Sequence, residues 1–259
     1  MMRNVFREGK ALVSFITAGD PSPEATVKFL RALEINSDIL ELGVPFSDPM
    51  ADGSTIQRAN HRALKAGVKL SKVFEVVEEF KEDSDTPLVL MTYYNPVYVK
   101  GEEYFIERAR DAGVDGLIVV DLPVEEADNY CKICEENDLD TIFLAAPNTS
   151  DLRLKRVDDV SSGFVYLVSR YGTTGERDDV SELSTDFLKR AKCVCSKPLC
   201  VGFGISREDH VRKLVENGAD GVVVGSSLVN IIEKYGDSRN TVNKLIKKTE
   251  ELKKGLETI

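Results

Sequence analysis

The segments Gly113-Val-Asp-Gly-Leu-Ile-Val-Val120 and Gly218-Ala-Asp-Gly-Val-Val-Val-Gly225 share one pattern, and Asn36-Ser-Asp-Ile-Leu-Glu-Leu42 is a looser copy. In each copy a helical pattern ends at Gly or Asn, an Asp turns the chain, and an apolar run begins. A helix-to-strand joint that recurs along a chain favours a closed, quasi-symmetric barrel over an open sheet. The repeat therefore predicts a barrel of repeated strand and helix units.

The rest of the chain alternates in the same way. Apolar runs too short for helices, most of them without strict alternation, are typical of parallel strands buried on both faces. Eight such runs occur, at Ala11–Thr17, Ile39–Leu42, Leu88–Tyr93, Gly116–Val120, Thr141–Ala145, Phe164–Val168, Leu199–Phe203 and Gly221–Val224. Helical patterns separate them, at Pro23–Leu33, Ile56–Ala66, Ser71–Phe80 (with Ser71 as N-cap), Glu102–Ala112, Val124–Asn137, Ser150–Val160, Val180–Lys192 and Ser206–Asn217.

Eight strand–helix units in 259 residues match the roughly 250 residues of a TIM barrel. No linker or low-complexity segment divides the chain, so we predict a (β/α)8 TIM barrel with extra helices, forming one domain over residues 1–259. The tail Asn240–Ile259 carries Leu245, Leu252 and Leu256 among charged residues. This spacing predicts an amphipathic helix packed on the outside.

Composition narrows the class of protein. Hydrophobic residues make up 42% and charged residues 30%, which suits a folded core, and the net charge is −10. A uniformly acidic surface argues against nucleic acid and anionic membranes as partners, although backbone N–H groups can still bind an anionic substrate. No apolar stretch approaches the roughly 20 residues of a membrane span, and no signal-peptide pattern is evident. We therefore expect a cytoplasmic protein.

Cysteine and histidine give no sign of a metal or redox site. The odd count of 5 cysteines favours reduced thiols. Cys131 and Cys134 form one CxxC pair on a predicted helix, whereas zinc would need about two further ligands, so we expect a structural thiol pair and no metal. His61 and His210 fall on predicted outer helices, where surface or packing roles are expected.

The end of the second predicted strand carries the clearest candidate for chemistry, Glu41-Leu-Gly-Val-Pro-Phe-Ser-Asp-Pro-Met-Ala-Asp-Gly53. A carboxylate at the end of a buried strand, such as Glu41, is costly unless it is hydrogen-bonded or used. Asp52 precedes a helical pattern. Each acid has a structural alternative: Glu41 as the partner of an arginine or a backbone N–H, and Asp52 as an N-cap or turn former.

Glycine-rich segments follow the strands that commonly hold phosphate in such barrels. Gly202-Phe-Gly204 follows the seventh strand and Gly225-Ser-Ser227 the eighth, while Gly172-Thr-Thr-Gly175 follows the sixth. Glycine lets an oxyanion approach the backbone, and we expect Ser226 to donate its hydroxyl and to cap a short helix Leu228–Glu233. The alternative is that these glycines only form tight turns. Their presence in neighbouring loops favours a phosphate site.

Several of these segments together resemble the tryptophan synthase α chain family, in order and over essentially the whole chain. They are the Glu41–Gly53 segment, Phe15-Ile-Thr-Ala-Gly-Asp-Pro21, Asp121-Leu-Pro-Val-Glu-Glu126, Ser169-Arg-Tyr-Gly-Thr-Thr-Gly175 and Gly202-Phe-Gly-Ile-Ser206. The first motif is long and specific, whereas the glycine-rich ends would fit many phosphate-binding barrels.

The resemblance implies a lyase that cleaves indole-3-glycerol phosphate to indole and glyceraldehyde 3-phosphate, without a metal or organic cofactor of its own. It also implies a pyridoxal-phosphate-dependent β chain as partner, which receives indole through a tunnel in an αββα heterotetramer. The residues that match the family's sites are Glu41, Asp52 and Tyr166 for catalysis, Gly175, Gly204, Gly225 and Ser226 for phosphate, and Phe15, Ile118 and Phe203 for the indole pocket.

Two positions depart from the family pattern. Ser54 replaces a proline that commonly follows Asp-Gly, and the loss of proline predicts a more mobile joint between loop and helix. Tyr171 stands where a small residue is common, and we expect it to change how the loop over the phosphate closes. Neither departure removes a catalytic group.

The implied reaction assigns different roles to the two acids. Glu41, buried at a strand end, should have a raised pKa and exchange protons near indole C3 and the glyceryl hydroxyl. Asp52, on a polar loop, should stay ionised near the indole nitrogen. One alternative is another phosphate-binding barrel enzyme acting on an indole- or anthranilate-bearing sugar phosphate, but such enzymes typically use a lysine or cysteine at a strand end, and no predicted strand here ends in lysine. The other is a catalytically idle chain that activates a partner enzyme.

Overall fold

Eight parallel strands close into a barrel in this computed structural model, which describes residues 2–168, 182–202 and 204–257. Each strand pairs with its neighbours in chain order, and β8 closes the barrel by pairing with β1, with Ala11 opposite Gly221. The strands are β1 Ala11–Thr17, β2 Ile39–Gly43, β3 Leu88–Thr92, β4 Gly116–Val119, β5 Asp140–Ala145, β6 Val165–Val168, β7 Leu199–Gly202 and β8 Gly221–Val224. The predicted (β/α)8 TIM barrel is confirmed.

Helices surround the barrel. They are α1 Val5–Glu8, α2 Pro23–Leu33, α3 Ser54–Lys65, α4 Leu70–Lys81, α5 Tyr94–Lys100, α6 Glu102–Asp111, α7 Asp128–Glu136, α8 Asp151–Val160, α9 Glu182–Val194, α10 Glu208–Glu216, α11 Ser226–Tyr235 and α12 Arg239–Lys254. Short 3-10 helices occupy Met2–Asn4 and Val124–Glu126. In the part of the chain that the structure describes, no helix is long and apolar enough to cross a membrane. That residues 1–259 form one domain stays a prediction.

The Asp of the repeated joint has a structural function at the base of the barrel. In each copy its carboxylate accepts a hydrogen bond from the first or second N–H of a neighbouring strand: Asp38 from Leu12 at 2.8 Å, Asp115 from Leu88 at 2.8 Å, and Asp220 from Leu199 at 3.0 Å. A lysine also contacts each Asp, at 3.1 Å for Lys253–Asp38, 2.7 Å for Lys81–Asp115 and 2.6 Å for Lys192–Asp220. The repeat thus satisfies strand ends that would otherwise lack a partner.

Two apolar layers position the site. Between strands and helices lies the main core, and inside the barrel a smaller cluster fills the base, including Val13, Ile39, Ile118 and Phe164. Met2 is completely buried and belongs to the same cluster. Because the base is filled, the only open end of the barrel interior in the described structure is at the carboxyl ends of the strands.

Some predicted helices differ from those observed. Helix α5 is not among the predicted helices; it contains Pro96 in its first turn, where proline is tolerated. The predicted helix Val124–Asn137 divides into a 3-10 turn and α7. Ser71 is not an N-cap, since α4 begins at Leu70. The predicted amphipathic tail is confirmed as α12, with Leu245 and Leu252 buried.

Candidate active site

A cavity of about 100 Å³ opens at the carboxyl ends of the strands. Every strand or the residues just beyond it contribute to its wall, through Phe15, Glu41, Met91, Ile118, Leu144, Tyr166, Gly202 and Val223. Asp52, Gly204, Gly225 and Ser226 reach it from the loops. The fold therefore gathers eight of the ten predicted site residues around one cavity. The other two, Gly175 and Phe203, lie outside the described residues, as do Tyr171 and the segment 169–181.

Glu41 is a carboxyl group in an apolar wall. It lies in β2 with 1% of its surface exposed, and neither carboxylate oxygen has a hydrogen-bond partner among the described residues. Desolvation, and secondarily the negative charge of Asp52, raise the pKa of Glu41 to about 8. The predicted rise is confirmed. The carboxyl group therefore holds a proton at neutral pH and can donate it.

Asp52 is more buried than the sequence indicated. Only 7% of it is exposed, and burial raises the pKa of its carboxyl to about 6 in spite of hydrogen bonds from Asn60 and Tyr93 that lower it. Nδ2 of Asn60 donates to Oδ2 of Asp52 at 3.1 Å. The polar loop that carries Asp52 therefore does not expose its carboxyl to solvent. The expected ionisation still holds at pH 7, which is above that pKa.

Two side chains that the sequence reasoning missed bury this loop. The Tyr93 hydroxyl accepts a hydrogen bond from the Ala51 N–H at 3.0 Å, and its ring stacks on Phe46 with centroids 5.0 Å apart. Asn60, on α3, is itself buried. The available signals were the position of Tyr93 directly after β3 and a polar residue, Asn60, on the inward face of an amphipathic helix.

Glycines along the rim make room for aromatic rings. A Cβ on Gly43 would lie 2.7 Å from the Phe15 ring, and a Cβ on Gly225 would lie 3.0 Å from the opposite part of the same side chain. A Cβ on Gly202 would lie 2.7 Å from the Tyr166 hydroxyl. The rings of Phe15 and Tyr166 can therefore lie over neighbouring strands only because those positions lack side chains. Burial, followed by the nearby Glu41 charge, raises the pKa of Tyr166 far above its usual range.

The helix that follows β8 directs its N-terminus at the cavity. It is longer than predicted, Ser226–Tyr235 in place of Leu228–Glu233, and its N-cap is Gly225. Ser226 is therefore the first helical residue, and its predicted capping role is wrong. The unpaired N–H groups of a helix's first turn carry partial positive charge and suit an anion. Gly204 enters the same rim with φ +57°, a conformation that favours glycine.

The cysteine pair and the two histidines lie in surroundings that match the structural roles expected of them. Burial raises the pKa of both Cys131 and Cys134 above the usual thiol range, to about 11 for Cys131, so both stay protonated at neutral pH. His61 is exposed and His210 is buried, consistent with the surface and packing roles expected. Within residues 2–168, 182–202 and 204–257, no cluster of three or more His, Cys, Asp or Glu side chains is arranged to hold a metal ion.

Comparison with known proteins identifies the family. A family model described as "Tryptophan synthase alpha chain" matches residues 2–257. The chain belongs to this family. It is 52% identical over 246 residues to the tryptophan synthase alpha chain of Methanococcus maripaludis, covering 95% of each chain. It is 53% identical over 248 residues to that of Pyrococcus abyssi, covering 96% of this chain and 99% of the relative.

Solved structures agree in fold. A chain in the crystal structure of the tryptophan synthase complex of Pyrococcus furiosus matches with a TM-score of 0.89 and 49% identity, covering 94% of this chain and 98% of that one. The resemblance inferred from the motifs is thus confirmed. Ser54, which replaces the proline common in the family, is the first residue of α3, and proline is favoured at the first position of helices.

Proposed function

We propose that Glu41 and Asp52 are the acid–base pair of a carbon–carbon lyase. As a member of the tryptophan synthase alpha chain family, the chain cleaves indole-3-glycerol phosphate to indole and glyceraldehyde 3-phosphate in tryptophan biosynthesis. The single observation that carries the residue assignment is the pair of buried carboxyls in one cavity with pKa values near 8 and near 6. Between these values one acid is protonated and the other is ionised.

The reaction is a retro-aldol cleavage, and its difficulty is the leaving carbon. Indole C3 is a poor carbanion, so the bond breaks only after C3 has been protonated. The resulting indolenine accepts the electrons of the breaking C–C bond while the glyceryl hydroxyl loses its proton and becomes the aldehyde. Catalysis therefore needs one group that gives and takes protons and another that stabilises positive charge on the indole nitrogen. General acid–base catalysis typically contributes ~10²–10⁴-fold.

Glu41 has the properties of the proton-transferring group. Its side chain lines the same cavity as Phe15 and Ile118, and its carboxyl oxygens have no hydrogen-bond partner among the described residues. In the protonated state it supplies the proton for C3, and as the carboxylate so formed it accepts the proton of the glyceryl hydroxyl. Tyr166 shares this wall, and its neutral hydroxyl is a hydrogen-bonding neighbour for substrate or carboxyl.

Asp52 has the properties of the charge-stabilising group. The Asn60 amide and the Tyr93 hydroxyl fix its carboxylate and keep its pKa below 7 despite burial. An ionised carboxylate in a cavity from which water is largely excluded interacts strongly with a developing cation. Asn60 and Tyr93 therefore act as positioning residues for Asp52 in this proposal.

The phosphate lies, in this proposal, at the opposite side of the cavity mouth. The first-turn N–H groups of α11, the backbone of Gly204 and Gly225, and the Ser226 hydroxyl supply its donors. Phe15 and Ile118 line the indole end. Gly175 for phosphate and Phe203 for indole are proposed from the family resemblance alone, since both lie outside the described residues. We infer no cofactor for this chain in its own reaction.

The partner is a pyridoxal-phosphate-dependent β chain, with which the chain forms an αββα heterotetramer that passes indole to the partner. The structural neighbours include the tryptophan synthase a2b2 complex of Pyrococcus furiosus, which supports this assignment. The loop that carries Asp52 also presents Met50 with 86% of its surface exposed, as expected of a segment that contacts a partner. We place this assembly in the cytoplasm, as part of one biosynthetic pathway and without nucleic-acid or membrane partners.

The test is indole release by Glu41→Gln and by Asp52→Asn, each alone and with the β chain. Both variants should lose cleavage while binding of glycerol phosphate, measured by calorimetry, is retained, because neither acid is among the phosphate donors. Glu79→Gln, on the exposed face of α4, is the matched control and should leave both readouts unchanged. Near-normal cleavage by Glu41→Gln would refute the assignment. Absence of indole release by the unaltered chain, with and without the partner, would instead favour an idle activating chain.

A further inference from the structure

A second concave site lies between α11 and α12, outside the barrel. It is an open groove of about 590 Å³, which is within the size range of small-molecule sites. Four lysines line it, Lys234 on α11 and Lys244, Lys247 and Lys248 on α12. The three on α12 are spaced i, i+3 and i+4 and therefore share one helix face. Four ammonium groups converging on one groove are a pronounced feature in a chain of net charge −10.

The positive charge of the groove is poorly neutralised. Among the described residues, Lys248 pairs with Glu251 at 3.1 Å, whereas Lys234, Lys244 and Lys247 have no carboxylate within ion-pair distance. The nearby acids belong to other pairs: Glu233 contacts Arg58 and Arg62, Asp237 contacts Lys28, and Glu250 contacts Lys254. The groove is thus left with an excess of about three positive charges.

The aromatic ring of Tyr235 lies at the same groove. Lys234 and Lys244 lie 5.3 and 4.8 Å from the centroid of the Tyr235 ring, so this ring holds both ammonium groups at the groove. A hydrogen bond with Lys234, followed by the charges of Lys234 and Lys244, lowers the pKa of Tyr235. Ser227 also lines the groove, with 6% of its surface exposed.

We propose that this groove binds a small phosphate-bearing anion, held by Lys234, Lys244 and Lys247. The site is separate from the catalytic cavity, because the consecutive residues Ser226 and Ser227 line different cavities. A compact oxyanion matches several ammonium groups that line one groove. A long polyanion does not, since the remaining surface is acidic and would repel it. The inference does not depend on the proposed catalytic roles.

The test follows backbone amide NMR signals of the full-length chain during titration with inorganic pyrophosphate and, separately, with glycerol 3-phosphate. The signals of Tyr235, Lys244 and Lys247 should shift saturably with pyrophosphate. The glycerol phosphate arm shows whether an ester is accepted as well as a free anion. Lys244→Gln combined with Lys247→Gln should weaken the affinity about tenfold or more, since two charge-assisted contacts are lost.

The matched control is Lys65→Gln combined with Lys189→Gln, two exposed lysines on other helices with the same total change in charge. It should leave the affinity at the groove unchanged. Indole release should be unaltered in the Lys244/Lys247 double variant, which separates this site from the catalytic one. The proposal is overturned if the groove signals do not saturate, if only signals around the catalytic cavity move, or if the groove and control pairs weaken binding equally.

Discussion

Replacing Glu41 with glutamine should stabilise the folded chain at neutral and alkaline pH while it abolishes cleavage. The unfolded chain releases the Glu41 proton near pH 4.5, whereas the folded chain keeps it until about pH 8. Between these values the folded state binds more protons than the unfolded state, so the free energy of unfolding falls as pH rises. Each pH unit of this window costs about 1.4 kcal/mol.

The loss accumulates to roughly 3 kcal/mol by pH 7 and roughly 5 kcal/mol above pH 8. Glutamine has the shape of the protonated carboxyl and cannot ionise, so Glu41→Gln removes this loss and little else. The two proteins should be equally stable near pH 4.5, and the variant should be more stable by those amounts at pH 7 and 9. Urea unfolding at the three pH values measures the difference, provided that the slope with denaturant is the same for both proteins.

The exposed Glu79→Gln is again the control, and its small effect should be the same at all three pH values. A difference between Glu41→Gln and the unaltered chain that does not change with pH would show that Glu41 is not buried as a protonated acid. A variant that is less stable at pH 9 would show that the carboxylate has a stabilising partner. Either result would remove the physical basis for Glu41 as the proton donor.

Two further variants test the supports of the site. Arg62→Met should destabilise the fold by about 3–5 kcal/mol in thermal unfolding, because Arg62 is the bidentate partner of Asp20, which is 1% exposed. Arg31→Met is the control and should have little effect, because the ion pair of Arg31 is exposed. Comparable losses of stability in the two variants would contradict this prediction. Asn60→Ala removes a hydrogen bond that lowers the pKa of Asp52. The acid limb of the pH profile of kcat/KM should therefore move from near pH 6 to higher pH. If the limb does not move, Asp52 does not control it.

The sequence was sufficient to predict the barrel because one joint is repeated with its chemistry intact. Asp38, Asp115 and Asp220 each turn the chain and each bind the N–H of a neighbouring strand. The same local solution at three places indicates one symmetric architecture. Helix α5 was not predicted because its seven residues contain a proline and have too few apolar positions to show a helical hydrophobic period.

The positions of Glu41 and Asp52 at the cavity follow from the barrel, but the burial of Asp52 does not. Glu41 is part of a strand whose neighbours are all apolar, so its desolvation can be read from the sequence. Asp52 follows a loop of polar residues and prolines, and its burial depends both on the nearby Asn60 and on the more distant Tyr93. Tyr93 is 41 positions further along the chain, and its contact with the loop depends on the distance between β2 and β3. Such a contact leaves no local pattern in the sequence.

The glycines at the rim show why a motif alone does not fix a residue's role. Gly225 matches a phosphate-binding position, yet a Cβ there would also press on Phe15, and a Cβ on Gly43 would press on the same ring from the other side. Because β1 lies between β2 and β8, the phosphate end and the indole end of the cavity share this constraint. Loss of activity in Gly225→Ala would therefore be ambiguous by itself. Only a loss of phosphate affinity that Gly43→Ala does not reproduce can be assigned to the backbone of Gly225.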